Sequence, residues 1–203
     1  MDKLPLVALI SGRGSNLKAI IDAADPLIDI RAVISNRPQA PGLLYAQQAG
    51  MATQVIDHKT FKSRLEFDTA LQTAIDHYQP KLLILAGFMR ILSPDFIKHY
   101  RGRLFNIHPS LLPAFKGLHT HQRVLESNMK EHGASVHFVS EELDSGPVII
   151  QARVPVLPDD DEDSLAARVL QEEHRIYPQA IHWFAQGRLQ LQGQTTLLDG
   201  KAI

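Results

Sequence analysis

The chain contains no cysteine in 203 residues. Disulfides, thiolate nucleophiles and zinc sites built on cysteine are therefore excluded by chemistry. It also lacks an excess of charge of either sign. Lys and Arg number 21 against 22 Asp and Glu, a formal net charge of -1 with the 10 His counted as neutral. Without a basic surplus there is no broad attraction for a polyanion, so neither nucleic acid nor a membrane surface is expected as a partner. A small anion is a different matter, because a local nest of N–H groups or a helix end binds one without net charge. No apolar run nears the roughly 20 residues that a membrane helix needs. Met1 to Pro5 carry Asp2 and Lys3 and lead straight into a strand-like run. A basic segment followed by a long apolar one is missing there, so no signal peptide is expected and a cytoplasmic location is.

What is present is ordinary for a globular chain. Hydrophobic residues make up 44% and charged residues 21%, which fits one domain with a sizeable core. The first half alternates short apolar runs with helical patterns. Leu6–Ile10, Arg31–Ser35, Thr53–Ile56 and Leu82–Ala86 read as strands, and Leu17–Ala24, Gly42–Ala49 and Ser63–Tyr78 as helices. Strands alternating with helices imply right-handed βαβ units and a mostly parallel twisted sheet flanked by helices, Rossmann-like in this half.

The second half changes character. Arg103–Ile107 is a further strand, and Pro109–Thr120, with two prolines and a glycine, reads as an ordered loop. Ala134–Val139 and Val148–Val156 are joined by too few residues for a parallel crossover, so they form an antiparallel hairpin. Ser164–Ala185 has the pattern of a long amphipathic helix capped by Asp163 or Ser164. Pro178 within it is expected to kink or divide it. A short strand-turn-strand pattern surrounds Asp199-Gly200. Repeats and linker-like segments are not seen. The expectation is a single α/β domain over 1–203, with 1–100 as a phosphate-binding half and 101–203 as a catalytic half.

Three segments carry chemistry. Ser11-Gly-Arg-Gly-Ser-Asn16 follows a strand and opens a helix. Backbone N–H groups at Gly14, Ser15 and Asn16 can hold a phosphate there, favoured by the helix dipole. The plainer reading is a tight turn with Ser15 or Asn16 as N-cap. It is not a Walker loop, and no acid at the end of the next strand supports a dinucleotide. The second segment is Asn106-Ile-His-Pro-Ser-Leu-Leu-Pro113. Asn106 and His108 are two apart at the C-terminal end of a strand and so share a face. An amide donor suits a developing oxyanion, and an imidazole shuttles a proton near neutral pH. The alternative is a satisfied histidine in a proline-rich loop. The third is Asp144, in the loop between the two hairpin strands. It is either a turn former or the partner of an imidazolium, and spacing alone does not bring it to His108.

Three further features carry less. His119-Thr-His121 lacks the additional ligands a metal site needs. Asp159–Asp163 is explained as a solvated run before a helix N-terminus. Ser110 is not in a nucleophile elbow.

Taken together, these segments resemble the folate-dependent formyltransferases. The resemblance spans about Leu6 to about Leu198 and includes Leu85-Ala-Gly-Phe-Met-Arg-Ile-Leu-Ser93, Gly117-Leu-His-Thr-His121 and Glu142-Leu-Asp-Ser-Gly-Pro147. It is narrower for the branch that acts in purine (IMP) biosynthesis. That resemblance implies transfer of a formyl group from 10-formyltetrahydrofolate to the amine of glycinamide ribonucleotide, without a metal. It implies that Asn106, His108 and Asp144 are catalytic, and that Gly14, Ser15, Asn16 and Glu173 hold the phosphorylated acceptor. It further implies that Arg64, Met89, Arg90, Ile91 and Leu92 line the folate site, closed by Ser140, Glu141, Glu142, Leu143 and Asp144. Small molecules are then the only partners, and the chain is a monomer or weak homodimer. Arg13 and Ser145 depart from the family's common Asn or Ser and Gly.

Within the family, enzymes acting on methionyl-tRNA resemble longer chains with a second domain and a basic surface, and the related formyltetrahydrofolate hydrolase resembles a chain with an added regulatory domain. Neither fits this length and charge as well. A reading from another class, a non-catalytic nucleotide-binding module, does not account for all three catalytic residues.

Overall fold

The computed structural model describes residues 2–203. Strand β1 (Leu4–Ile10) is buried along its whole length. Its unbroken apolar run suits an interior parallel strand covered on both faces. It is followed by α1 (Ser15–Asp22), β2 (Ile28–Ser35), α2 (Leu43–Gln48), β3 (Ala52–Val55), a 3-10 turn (His58–Thr60), α3 (Arg64–His77), β4 (Leu82–Leu85), α4 (Pro94–His99) and β5 (Leu104–His108). Then come α5 (Thr120–Glu126), β6 (Glu131–Phe138), β7 (Val148–Pro155), α6 (Glu162–Ala185) and the strands β8 (Leu189–Gln192), β9 (Thr195–Leu198) and β10 (Lys201–Ala202).

The main sheet has the order β3-β2-β1-β4-β5-β6-β7. Strands β1 to β5 pair in parallel, and β6 runs antiparallel to both β5 and β7. The expected α/β fold with an antiparallel hairpin is therefore present. A separate antiparallel sheet of β8, β9 and β10 lies at the C-terminus. Because the chain leaves β1 toward β2 and returns through β4, the sheet has a topological switch between β1 and β4. Open α/β sheets bind ligands at the carboxyl end of such a point.

Alternate residues divide the core in two. Leu6, Ala8, Ile84, Phe105, Ile107 and Val136 face a cluster that includes Leu17 of α1 and Val169, Ile176 and Tyr177 of α6. Val7, Leu9, Leu83, Leu85 and Leu104 face Phe67, Leu71 and Ile75 of α3 and Phe96 and Ile97 of α4. This second face continues across β5 and β6 as polar residues. Cross-strand partners Asn106 and His137, and His108 and Ser135, follow Leu104 on it.

Several sequence expectations are corrected here. The cap of α6 is Asp161, not Asp163 or Ser164; its side chain accepts from the Ser164 N–H while the Ser164 hydroxyl accepts from the Asp161 N–H. Asp160 adds a paired contact to Arg168 at 2.6 and 2.7 Å, and its carboxyl is held below the usual range chiefly by that bond. The helix is not divided at Pro178. Ile176, Tyr177, Ala180 and Ile181, on both sides of the proline, are fully buried, and that burial offsets the missing hydrogen bond. Helix α1 is capped by Gly14, in left-handed geometry and without a side-chain cap, so neither Ser15 nor Asn16 serves as N-cap. Helices α4 and α5 have no counterpart in the sequence pattern. At six and seven residues they are too short to show periodicity, although Ser93-Pro94 is a helix-start signal.

Candidate active site

The loop after β1 is built around a close crossing of backbones. Gly14 has φ 73°, and a Cβ there would lie 2.6 Å from the Gly42 Cα. Both the left-handed conformation and the crossing require glycine. The Gly42 N–H bonds the Gly12 carbonyl at 3.0 Å, fixing the crossing. The loop is also tied to the one after β4. The Ser11 N–H donates to the Gly87 carbonyl at 3.1 Å, and the Ser11 hydroxyl accepts from the Met89 N–H at 2.7 Å while donating to Asn36 at 2.5 Å. Arg13 is exposed beside this loop.

Asn16 and Glu173 meet between α1 and α6. The Asn16 amide donates to the Glu173 carboxylate at 2.6 Å. Both side chains are buried, and the Asn16 Oδ1 has no hydrogen-bond partner. Burial raises the Glu173 carboxyl above its ordinary value, against the lowering effect of the Asn16 bond.

At the end of β5, Asn106, His108 and Asp144 converge. Asp144 Oδ2 lies 3.4 Å from His108 Nδ1 and accepts the Gly117 N–H at 2.9 Å. Asp144 itself has φ 47°, a left-handed conformation that Asp tolerates better than most residues. The other ring nitrogen of His108, Nε2, donates to the Phe115 carbonyl at 3.0 Å. Both nitrogens are thus engaged within the protein. His137 completes the cluster, with Nε2 3.2 Å from the Asn106 amide nitrogen and 3.8 Å from Asp144 Oδ1. Burial lowers its pKa from the ordinary 6.5.

Loop 109–119 is anchored from below. Ser135 accepts from the Leu112 N–H at 3.1 Å and donates to the Ser110 carbonyl at 2.6 Å. The loop reaches the 140–147 segment through Lys116, which bonds the Ser145 hydroxyl and lies 3.3 Å from Glu142. Ser145 is absent from the positive-φ residues, so a side chain there costs no backbone strain. Ser140 bonds the Glu142 carbonyl at 3.0 Å, and Glu141 lies 3.9 Å from Lys98.

The residues expected to line a second ligand divide into three kinds. Met89, Ile91 and Leu143 expose apolar side chains, at 60%, 62% and 53%. Arg90 is half-buried, with its Nε unpartnered. Arg64 is exposed at the first position of α3. The Leu92 side chain is buried in the α3–α4 core, which leaves its backbone as the part that can face a ligand. His121 does not act with His119; its Nδ1 bonds His132 Nε2 at 3.0 Å.

Sequence reasoning gave Ser11 no role of its own within its motif and missed Ser135, His137 and the Phe115 carbonyl. Ser135 and His137 had a signal, since they alternate on β6 as Asn106 and His108 do on β5. The strand pairing that sets them opposite each other was not legible.

A family model described as formyl transferase matches residues 4–181. The chain belongs to the formyl transferase family. It is 54% identical over 201 residues to the phosphoribosylglycinamide formyltransferase of Escherichia coli (strain K12), covering 98% of this chain and 95% of the relative. The solved phosphoribosylglycinamide formyltransferase from Coxiella burnetii superimposes with a TM-score of 0.96 at 52% identity, over 100% of this chain and 96% of the other. The glycinamide ribonucleotide transformylase 1 from Symbiobacterium toebii gives a TM-score of 0.93 at 42% identity, over 97% and 94%. As a formyl transferase, the chain matches both solved structures over nearly its whole length. Among the described residues no helix is long and apolar enough to cross a membrane.

Proposed function

We propose that this formyl transferase moves a formyl group from 10-formyltetrahydrofolate to the amine of glycinamide ribonucleotide, in purine biosynthesis. The observation that carries the catalytic assignment is the convergence of Asn106, His108 and Asp144 at the C-terminal end of β5, supported by relatives named for this reaction. The acceptor's phosphate is assigned to the N–H groups of Gly14, Ser15 and Asn16, where the dipole of α1 favours an anion. Glu173, fixed by Asn16, is assigned to the ribose or glycinamide end of the same molecule.

The exposed apolar side chains of Met89, Ile91 and Leu143 fit a flat aromatic ring, with the segment 140–144 over it and the cations Arg64 and Arg90 suited to carboxylates. When bound, the folate carrier supplies a one-carbon group already activated for acyl transfer. Asn106 donates an N–H to the carbonyl oxygen as it gains charge. His108 supplies a second donor and takes part in moving the proton from the attacking nitrogen. As found, its Nε2–H is given to Phe115, so that proton reaches the reacting oxygen only as the Phe115 carbonyl is displaced. Asp144 orients His108 from the Nδ1 side.

The test is turnover with glycinamide ribonucleotide, its dephosphorylated form and water as acceptors. Transfer to the phosphorylated amine with the other two much poorer is expected. Equal kcat/KM with and without the phosphate removes the Gly14–Asn16 assignment.

A further inference from the structure

His137 is not among the residues that the family resemblance singles out, and its hydrogen bonds leave it little freedom. Its Nδ1 lies 2.9 Å from the carbonyl oxygen of Phe138. A carbonyl can only accept, so Nδ1 carries the proton. In a neutral ring the other nitrogen, Nε2, is then a bare acceptor. It faces the Asn106 amide nitrogen at 3.2 Å. An amide turned the other way round would set its oxygen against that lone pair, two acceptors face to face in a buried place.

We propose that His137, held as its Nδ1–H tautomer, is a positioning residue that fixes which way round the Asn106 side-chain amide sits. One N–H of Asn106 is given to His137, and the second is left in a set direction to serve as donor at the reacting oxygen. The inference rests on the catalytic assignment of Asn106 above.

Three observations support it independently of that assignment. Asn106 and His137 are direct cross-strand partners of β5 and β6, so the backbone ladder, and not a flexible loop, sets their separation. The His137 side chain is 2% exposed, so water does not compete for Nε2. Burial also holds the ring below its ordinary pKa, ahead of the opposing effects of the Phe138 carbonyl and Asp144, and His108 acts in the same direction. A charged ring would place a proton on Nε2, turn the Asn106 oxygen toward it or reach for Asp144 Oδ1 at 3.8 Å, and lose the arrangement.

The first test is nitrogen-15 NMR of the histidines in the unaltered protein at neutral pH. The expected spectrum has His137 protonated at Nδ1 and bare at Nε2; protonation at Nε2 overturns the inference. The second is a double-mutant cycle. His137→Leu removes the acceptor and is expected to lower kcat about ten- to a hundredfold, less than the 10²–10³ of a whole oxyanion donor, with both KM values little changed. His137→Gln, whose amide oxygen reaches the place of Nε2, is expected to recover most of that loss. In an Asn106→Ala background His137→Leu is expected to cost almost nothing further, because the residue it positions is gone. If Asn106→Ala is slow and His137→Leu still costs its full factor on top, the inference fails alone. If Asn106→Ala keeps full turnover, the reading of Asn106 fails and takes the inference with it. Should His137→Leu not fold, the NMR spectrum decides.

Discussion

Asn16 and Glu173 stand 157 residues apart in the chain and are joined by a single buried hydrogen bond of 2.6 Å. It links the helix that opens the first half of the sheet to the long helix that closes the domain's other half. The pair also carries a latent cost. Burial raises the Glu173 carboxyl, so the folded protein holds that proton at a pH where the unfolded chain has released it. Stability is then lost as pH rises from the ordinary 4.5 through the raised value. Glu173→Gln keeps an acceptor for Asn16 and removes the charge. Its Tm at pH 8, without ligands, is expected to equal or exceed that of the parent, while KM for the phosphorylated acceptor rises. A lower Tm at pH 8 contradicts the buried-carboxyl argument.

Asn106→Ala is expected to lower kcat by about 10²–10³, the usual worth of one oxyanion donor, with an unchanged circular dichroism spectrum. Steady-state kinetics decide the matter, and near-normal turnover removes Asn106 from the mechanism.

Asp144→Asn tests charge against shape. Asn keeps an oxygen for the Gly117 N–H and, like Asp, tolerates the left-handed φ of 47°. If Asp144 merely shapes the turn, the change is silent. If its charge facing His108 at 3.4 Å matters, kcat falls by at least about tenfold, up to the roughly 10²–10⁴ that a general acid–base group contributes. Measuring kcat and Tm together separates the two, since only kcat is expected to move.

His132 and His121 predict a pH effect on stability. Burial lowers His132 from 6.5 to about 4, with His121 and His108 adding to it, and burial lowers His121 as well. A histidine depressed in the folded state binds fewer protons there than in the unfolded chain. Stability is therefore fully present above about pH 6.5 and lost as pH falls toward 4. Tm is expected to decline across that window, and less steeply in His132→Gln. Equal slopes in the two proteins would show that another group controls the acid transition.

Tyr177 ties α6 to the sheet. Its buried hydroxyl lies 2.9 Å from the Leu85 carbonyl and 3.2 Å from that of Phe105, so its one proton is shared between β4 and β5. Tyr177→Phe leaves those carbonyls without it, and a loss of about 1–3 kcal/mol is expected. Urea unfolding measures this through the shift in midpoint.

The sequence by itself determined the parallel half of the sheet, because buried strands such as Leu82–Leu85 and helices such as Arg64–His77 have apolar periodicities that no neighbour is needed to reveal. It also determined that Asn106 and His108 share a face, since that follows from strand alternation alone. Position in the hairpin loop made Asp144 a candidate, and the family resemblance gave it a catalytic role and added Glu173, which no local pattern marks. Only the tertiary structure decided that Asp144 meets His108, that Glu173 meets Asn16 and that His137 stands against Asn106. It moved the cap of the last helix to Asp161, and it carried that helix unbroken through Pro178. The physical reason is common to all of these. Periodicity reports which face of an element is buried, whereas strand pairing, loop closure and burial energy decide what that face is buried against.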